Sequence, residues 1–329
     1  MPKVTIAQIA KALKLSPTTV SFVLNDRDKS ISEATRKTVI EKALSMGYRK
    51  LAKVNMIDWT RIAYVTSNIQ YFNFHTSFFA GVYSHLQRKA MKNKMELFLL
   101  ELDPDNSSDN KFHQLQAIRN LGIEICLTNN IKTSEYLEAQ GIKTILAQGG
   151  KAPGKTCIYC DDYTAGKIAA EHAFEKGHRE AGMIFPNCSH SRLHGFIDTF
   201  LKLGGTCPEK FRWFPPIDHE KMTQKLKALS RKKHLPTFFY CFADHLMFPA
   251  IKAFASNGLK VPDDISLIGT DNLYWGKFAS PSFTTIDLNE ELFAEKVIEA
   301  VAHLKKGAPP YQLAVPVRLM ERETVKDLS

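Results

Sequence analysis

No apolar run in this sequence approaches the ~18–20 residues that cross a bilayer, so a helical membrane span is excluded on length alone. The start, Met1-Pro2-Lys3-Val4-Thr5, lacks the apolar core of about 7–15 residues that marks an export signal, and a cytoplasmic protein is expected. Cysteine is scarce: six residues, at 126, 157, 160, 188, 207 and 241, are scattered through 329. That density excludes a disulfide-stapled scaffold and points to reduced thiols. Neither G-x-S-x-G nor H-E-x-x-H occurs, so hydrolytic readings lack a nucleophile or a metal. No catalytic residue, metal or cofactor is expected. What is present is ordinary for globular domains, with 44% hydrophobic and 24% charged residues, and the length suits two or three domains.

Charge is distributed unevenly. The net charge is +10, and residues 1–60, with eleven basic and five acidic side chains, carry +6 of it. A basic end on a soluble protein suits a polyanionic partner.

The same sixty residues read as three short helices. Thr5-Ile6-Ala7-Gln8 is a capping box, in which a hydroxyl and an amide satisfy orphan backbone donors reciprocally. Ile6, Ile9, Ala10 and Leu13 then form one apolar stripe. Ser16 is an N-cap with Pro17 at the first helical position, and Val20, Val23 and Leu24 make the inner face of the second helix. Thr18, Phe22 and Asn25 point the opposite way. A third helix starts at Ser32, buries Val39, Ile40, Ala43 and Leu44, and stops at Gly47. With only Lys14-Leu15 between the first two, the pattern fits a helix-turn-helix, whose second helix enters the DNA major groove. A merely solvated helix would carry Lys and Glu on its outer face. Thr18, Ser21, Phe22 and Asn25 are instead short hydrogen-bonding groups and one apolar ring, suited to phosphates and base edges.

Val4-Thr5-Ile6, Ile9-Ala10-Lys11, Leu15-Ser16-Pro17-Thr18-Thr19-Val20-Ser21, Val23-Leu24-Asn25, Ile31-Ser32-Glu33-Ala34-Thr35-Arg36 and Met46-Gly47-Tyr48-Arg49 stand in that order. This segment resembles the DNA-binding headpiece of the lactose-repressor/galactose-repressor family. The resemblance implies that Thr5, Ser16, Thr19, Ser21 and Asn25 contact phosphates and that Pro17, Thr18 and Phe22 occupy base-reading positions. Two departures stand out: the family usually has Arg at the position of Phe22 and Gly at that of Lys14. Arg can read guanine bidentately, whereas Phe favours a thymine methyl. The family's hinge is replaced by Lys50-Leu51-Ala52-Lys53-Val54-Asn55-Met56-Ile57-Asp58-Trp59-Thr60, which is either a plain linker or carries Met56 or Ile57 as a minor-groove wedge.

From Arg61 onward, β-like apolar runs alternate with helical patterns, which predicts parallel sheets covered on both faces. Some 270 residues of this kind suit two lobes rather than one core. The resemblance continues through Asp161-Asp162-Tyr163-Thr164-Ala165-Gly166, Gly177-His178-Arg179, Arg192-Leu193-His194-Gly195-Phe196 and Pro262-Asp263-Asp264-Ile265-Ser266-Leu267-Ile268-Gly269-Thr270-Asp271-Asn272. It implies an α/β fold: an N-terminal helix-turn-helix headpiece plus a two-lobed periplasmic-binding-protein-like domain with parallel sheets. The expected boundaries are a headpiece over 1–49, a hinge over 50–60 and an effector-binding domain over 61–329. One lobe takes about 61–160 and 288–318, the other about 161–287 and 319–329, with crossovers near 160, 287 and 318.

Two motifs are set aside. Gly149-Gly150-Lys151-Ala152-Pro153-Gly154-Lys155-Thr156 matches the phosphate-cradling P-loop, but it runs into the strand-like Cys157-Ile158-Tyr159-Cys160 instead of a helix. Cys157 and Cys160 have zinc-finger spacing, with no second pair to complete it. His178, between a helix and a strand, reads as structural. For the cleft between the lobes the resemblance implies effector contacts from Phe72, Phe74, Asp161, Arg192 and Asp271. Aromatic faces with one Arg and one Asp suit a sugar or related polyol. The family's Asn before Asp is replaced by Ala243. The expectation is a homodimeric transcriptional repressor that binds a double-stranded DNA operator under the control of a small-molecule effector. A transporter's solute-binding protein and an enzyme using the same cleft are the alternatives.

Overall fold

A computed structural model of the chain describes residues 4–25, 30–48, 59–67, 78–103, 105, 108–148, 150–185, 190–214, 224, 227, 228 and 234–329. It divides into two compact units, 1–60 and 61–329. Phe72 and Phe74 and the hinge candidates Met56 and Ile57 lie outside the described residues.

The first unit contains α1 (Ile6–Leu13), α2 (Pro17–Leu24) and α3 (Glu33–Ser45). Its core is Ile9, Ala10, Val20, Val23, Leu24, Val39, Ile40 and Ala43, the inner faces that the apolar spacing indicates. The capping box forms: Gln8 N donates to Thr5 Oγ1 at 3.3 Å, and Thr5 N to Gln8 Oε1 at 2.8 Å. Ser16 Oγ accepts from Thr19 N at 2.9 Å and starts α2. Lys14 ends α1 with φ 55°, in the left-handed region. The turn therefore needs the conformation that glycine adopts without strain, and Lys14 adopts it with a Cβ.

The second unit contains two sheets. β1 (Thr60–Thr66), β2 (Met95–Glu101), β3 (Ile125–Thr128), β4 (Lys143–Ala147), β5 (Cys157–Cys160) and β11 (Gln312–Val315) form the first, in the order β11-β5-β4-β3-β1-β2. β6 (Ala181–Ile184), β7 (Arg212–Trp213), β8 (Phe238–Cys241), β9 (Ser266–Thr270), β10 (Thr285–Asp287) and β12 (Arg318–Met320) form the second, in the order β12-β10-β9-β8-β6-β7. Read from the far edge, the first five strands of each sheet follow one doubly wound order, second-first-third-fourth-fifth. That order puts a crevice outside the carboxyl ends of the first and third strands. Strands β3, β4 and β5 are parallel along the first sheet and β6, β8 and β9 along the second, while β12 runs antiparallel to β10. The inner strands β3, β6, β8 and β9 are buried throughout and read as continuous apolar runs such as Phe238-Phe239-Tyr240-Cys241.

The chain passes between the sheets after Cys160, after Asp287 and after Val315. Arg318 already belongs to β12, where it lies opposite Asp287 and donates to its carboxylate at 2.9 and 3.0 Å. The expected boundary near 318 thus falls inside a strand, because this ion pair holds the last crossing segment against the second sheet.

Candidate functional site

In the first unit, α2 buries Val20, Val23 and Leu24 and leaves Pro17, Thr18, Phe22 and Asn25 exposed. Phe22 keeps 36% of its surface accessible and lies outside that core. Asn25 Nδ2 donates to Ser21 O at 2.8 Å and so caps the C-terminal end of α2. The Thr5 and Ser16 hydroxyls cap helix starts, and Ser16 Oγ also lies 2.8 Å from Thr19 Oγ1. These short side chains are held by the backbone ends they cap, which orders them before any partner arrives.

In the second unit, two helices fix the polar floor of the cleft: α7 (Asp162–Glu175) after the first sheet, and α8 (Ser191–Lys202) after β6. A Cβ on Gly166 would overlap Arg192 O, and one on Gly195 would overlap Tyr163 O. Both glycines are therefore needed for the close approach of α7 and α8 that carries Arg192 to Asp162. Arg192 is 3% exposed. Its Nε and Nη2 donate to Asp162 Oδ1 at 3.0 and 2.6 Å, and its Nη1 donates to Phe242 O. Its guanidinium sits 4.7 Å from the centre of the Phe242 ring. Burial works against the charge, but Asp162, Tyr240 and Asp271 together hold it above the ordinary guanidinium range. Arg192 thus lies at the crevice between β6 and β8, already engaged by the protein.

Asp161, expected in the cleft, caps α7. Its carboxylate accepts from Thr164 N at 3.0 Å and Thr164 Oγ1 at 2.8 Å. Asp162, one residue on, is the partner of Arg192.

Asp271 follows β9, is 7% exposed and has φ 109°, in a region that side chains rarely adopt. Its N–H donates to Ile286 O at 2.9 Å. No described residue hydrogen-bonds its carboxylate, which faces a cavity of about 670 Å³, a size suited to a small molecule. Beside Asp271 the cavity is lined by Asp287, Glu290, Glu291, Arg318, Tyr274 and Trp275, among others. Burial holds the Asp271 carboxyl well above the usual carboxylate range; Arg192 opposes this, and Asp244 and Glu290 add to it. Burial likewise pushes Glu290 up to about 8, with Asp287 adding to the effect. Burial pushes Asp244 up to about 7, against hydrogen bonds from Thr285 Oγ1 at 2.6 Å and Leu273 N at 2.8 Å. Asp244 thus braces the loop that carries Asp271. Glu290, Tyr274 and Trp275 escaped the sequence reading, although all three follow carboxyl ends of strands, where ligands of doubly wound sheets gather.

The motifs set aside have structural work. Lys155 Nζ donates to Glu138 and, at 3.1 Å, to Ser134 Oγ, and the chain then enters β5 instead of a helix. Cys157 Sγ faces Ala152 O, whereas Cys160 Sγ faces Leu288 O, so the two thiols have different neighbours. Among the described residues, no cluster of His, Cys, Asp and Glu has the arrangement of a metal site. Buried His178 joins Thr237 Oγ1 at 2.8 Å and Lys326 O at 3.2 Å; burial lowers its pKa to about 4.

Residues 5–50 match the family described as bacterial regulatory proteins, lacI family, and residues 170–325 match the periplasmic binding protein-like domain. The HTH-type transcriptional repressor PurR of Actinobacillus pleuropneumoniae serotype 3 (strain JL03) is 26% identical over 341 residues, covering 99% of each chain. Among solved structures, the lac repressor dimer bound to operator and the anti-inducer ONPF is similar at a TM-score of 0.77 and 17% identity, over 99% of this chain and all of that one. The complex of the transcriptional regulator CelR with cellobiose is similar at 0.71 and 19% identity, over 98% and 100%.

Proposed function

The chain belongs to the lacI family of bacterial regulatory proteins, whose members repress transcription by binding DNA, and from that premise we propose which of its residues carry each half of the task. The protein is a DNA-binding transcriptional regulator with a small-molecule effector. It binds operator DNA through α2 as a homodimer. Thr5, Ser16, Thr19, Ser21 and Asn25 contact phosphates, and Pro17, Thr18 and Phe22 meet base edges. The observation that carries this reading is the outer face of α2: exposed Pro17, Thr18 and Phe22, with no long charged side chain among them, above a wholly apolar inner face. The effector, a sugar or related polyol, lies in the cleft against Asp271, near Arg192, with Phe72 and Phe74 supplying apolar walls. The cleft regulates rather than catalyses, since its guanidinium is engaged by Asp162 and a backbone carbonyl. No described helix is long and apolar enough to cross a membrane, and work on operator DNA belongs in the cytoplasm.

Selection from a random oligonucleotide pool tests the DNA half. The parent protein is expected to enrich two inverted half-sites spaced by about one helical turn or a multiple of it. Phe22→Arg is expected to change the preferred base at one position of each half-site, toward guanine, by the ~1–3 kcal/mol of a bidentate contact. Ser21→Ala is expected to weaken all sites alike. An unchanged preference in Phe22→Arg means that the helix docks differently.

A further inference from the structure

The cleft as described holds carboxyl groups that its described residues do not pair. Four acidic side chains line the cavity, Asp271, Asp287, Glu290 and Glu291, with two cations, Arg318 and the exposed Lys277, which pairs with no described carboxylate. Asp287 is paired with Arg318 at 2.9 Å, and Glu291 with Lys89 at 3.6 Å. Arg192, the cation buried beneath, is held by Asp162 and Phe242 O. That leaves two carboxylates. Asp271 is 93% buried, by its 7% exposure, faces the cavity, and has no hydrogen-bonding partner for its carboxylate among the described residues. The Glu290 carboxylate packs on the bare Cα of Gly81, where a Cβ would overlap it, so Gly81 opens the space that Glu290 fills at the cavity wall. Neither makes an ion pair with a described residue. Tyr274 and Trp275, which also line the cavity, are 63% and 60% exposed, with ring centres 5.4 Å apart in a T-shaped pair. A carboxyl shielded from water and left without a partner is held protonated, and a cation placed against it restores its charge. Carboxylates flanked by open aromatic faces are the common recognition set for an organic cation.

We propose that the effector of this cleft is a protonated amine carried on a hydroxyl-bearing or other small aliphatic skeleton, with Asp271 and Glu290 as the acceptors of its ammonium group and Tyr274 and Trp275 over its cationic end. The inference rests on the reading of the cleft as the effector site and narrows the chemical class that the site takes. The ammonium pairs with carboxylates that ionise as it binds, and hydroxyls on the skeleton reach Asp287 and Arg318, which line the same cavity. In the empty cleft, burial favours the protonated forms of Asp271 and Glu290. A bound cation reverses that preference, so binding expels protons. A neutral polyol has no such effect.

The test uses the full chain and three matched pairs that differ in charge but little in size: D-glucamine and D-sorbitol, D-glucosamine and D-glucose, putrescine and 1,4-butanediol. Titration calorimetry near pH 7 in two buffers of different ionisation enthalpy measures affinity and proton release together. At least one amine is expected to bind ten-fold or more tightly than its neutral counterpart, with a heat that depends on the buffer. Glu290→Gln keeps the shape of the protonated acid and is expected to abolish both the preference and the proton release. Neutral members binding as tightly as their amines overturn the inference and leave the cleft standing as an effector site. An amine preference that survives both Glu290→Gln and Asp271→Asn also overturns it, by placing the ammonium elsewhere. Silence from all six compounds, while operator binding persists, overturns the inference and removes the support for a polyol-type effector in this cleft.

Discussion

Raising the salt concentration from about 50 to 200 mM is expected to weaken operator binding by about 10³–10⁵-fold, for a dimer that makes about 6–10 phosphate contacts. The basis is compositional as well as geometric. Residues 1–60 carry eleven basic and five acidic side chains. The short polar groups on and beside α2 are ordered by the helix ends they cap. Contacts of this kind displace condensed counterions, so log affinity should fall linearly against log salt with a slope of about −5 to −9. Fluorescence anisotropy with a labelled operator over a salt series measures the slope directly. A flat response would mean that the basic segment is a solvated surface and that binding, if any, rests elsewhere.

The second large effect concerns stability. Arg192→Ala is expected to cost about 3–5 kcal/mol, because it strands the partner of a buried ion pair and leaves the Phe242 carbonyl without its donor. Arg192 is 3% exposed, and Asp162 accepts two of its nitrogens through one oxygen. Arg192→Lys should recover little, since a single ammonium cannot span Asp162 and the Phe242 carbonyl as the guanidinium fork does. Replacing both partners by apolar side chains, in Arg192→Met with Asp162→Leu, should return much of the loss. Urea unfolding of the parent and the three variants measures these losses. A loss near zero for Arg192→Ala would show that the pair is solvated in solution and free for a ligand.

The headpiece was legible residue by residue because its signals are local. The Thr5–Gln8 box, the Ser16-Pro17 start and Gly47 each sit within four residues of the helix end they set. Lys14 shows the limit of that reading: lysine gives no sign of a left-handed turn, yet it takes φ 55°. The strand–helix alternation of the second unit was equally plain, since parallel strands buried on both faces announce themselves as apolar runs. What could not be read was pairing across the fold. Asp161 and Asp162 are neighbours in sequence, and only the packing of α7 on α8 through Gly166 and Gly195 selects Asp162 for Arg192 and leaves Asp161 as a cap. Asp271 was found through family resemblance, whereas its positive φ and a carboxylate with no hydrogen-bond partner among the described residues belong to the three-dimensional structure alone. Glu290 opens a helix whose first turn is Glu290-Glu291, which reads as an acidic start suited to the helix dipole. Only the contact with Gly81, more than 200 residues earlier in the chain, turns it toward the cavity.

The central claim is that a DNA-binding headpiece is governed from the cleft, and the variant that isolates it is Asp271→Gly. Glycine accepts φ 109° without strain and deletes the carboxylate, so the loop keeps its shape while the site loses its acceptor. The measurement is operator affinity by anisotropy, with and without saturating amounts of the compound that binds the parent cleft most tightly. For the parent, the ligand is expected to change operator affinity at least five-fold, equivalent to a coupling of about 1 kcal/mol or more. For Asp271→Gly, ligand-free affinity is expected to equal the parent's and the response to vanish, since a ligand shifts an equilibrium only by its differential affinity for the two states. A variant that responds like the parent, or one that loses ligand-free operator binding, would contradict control through this cleft.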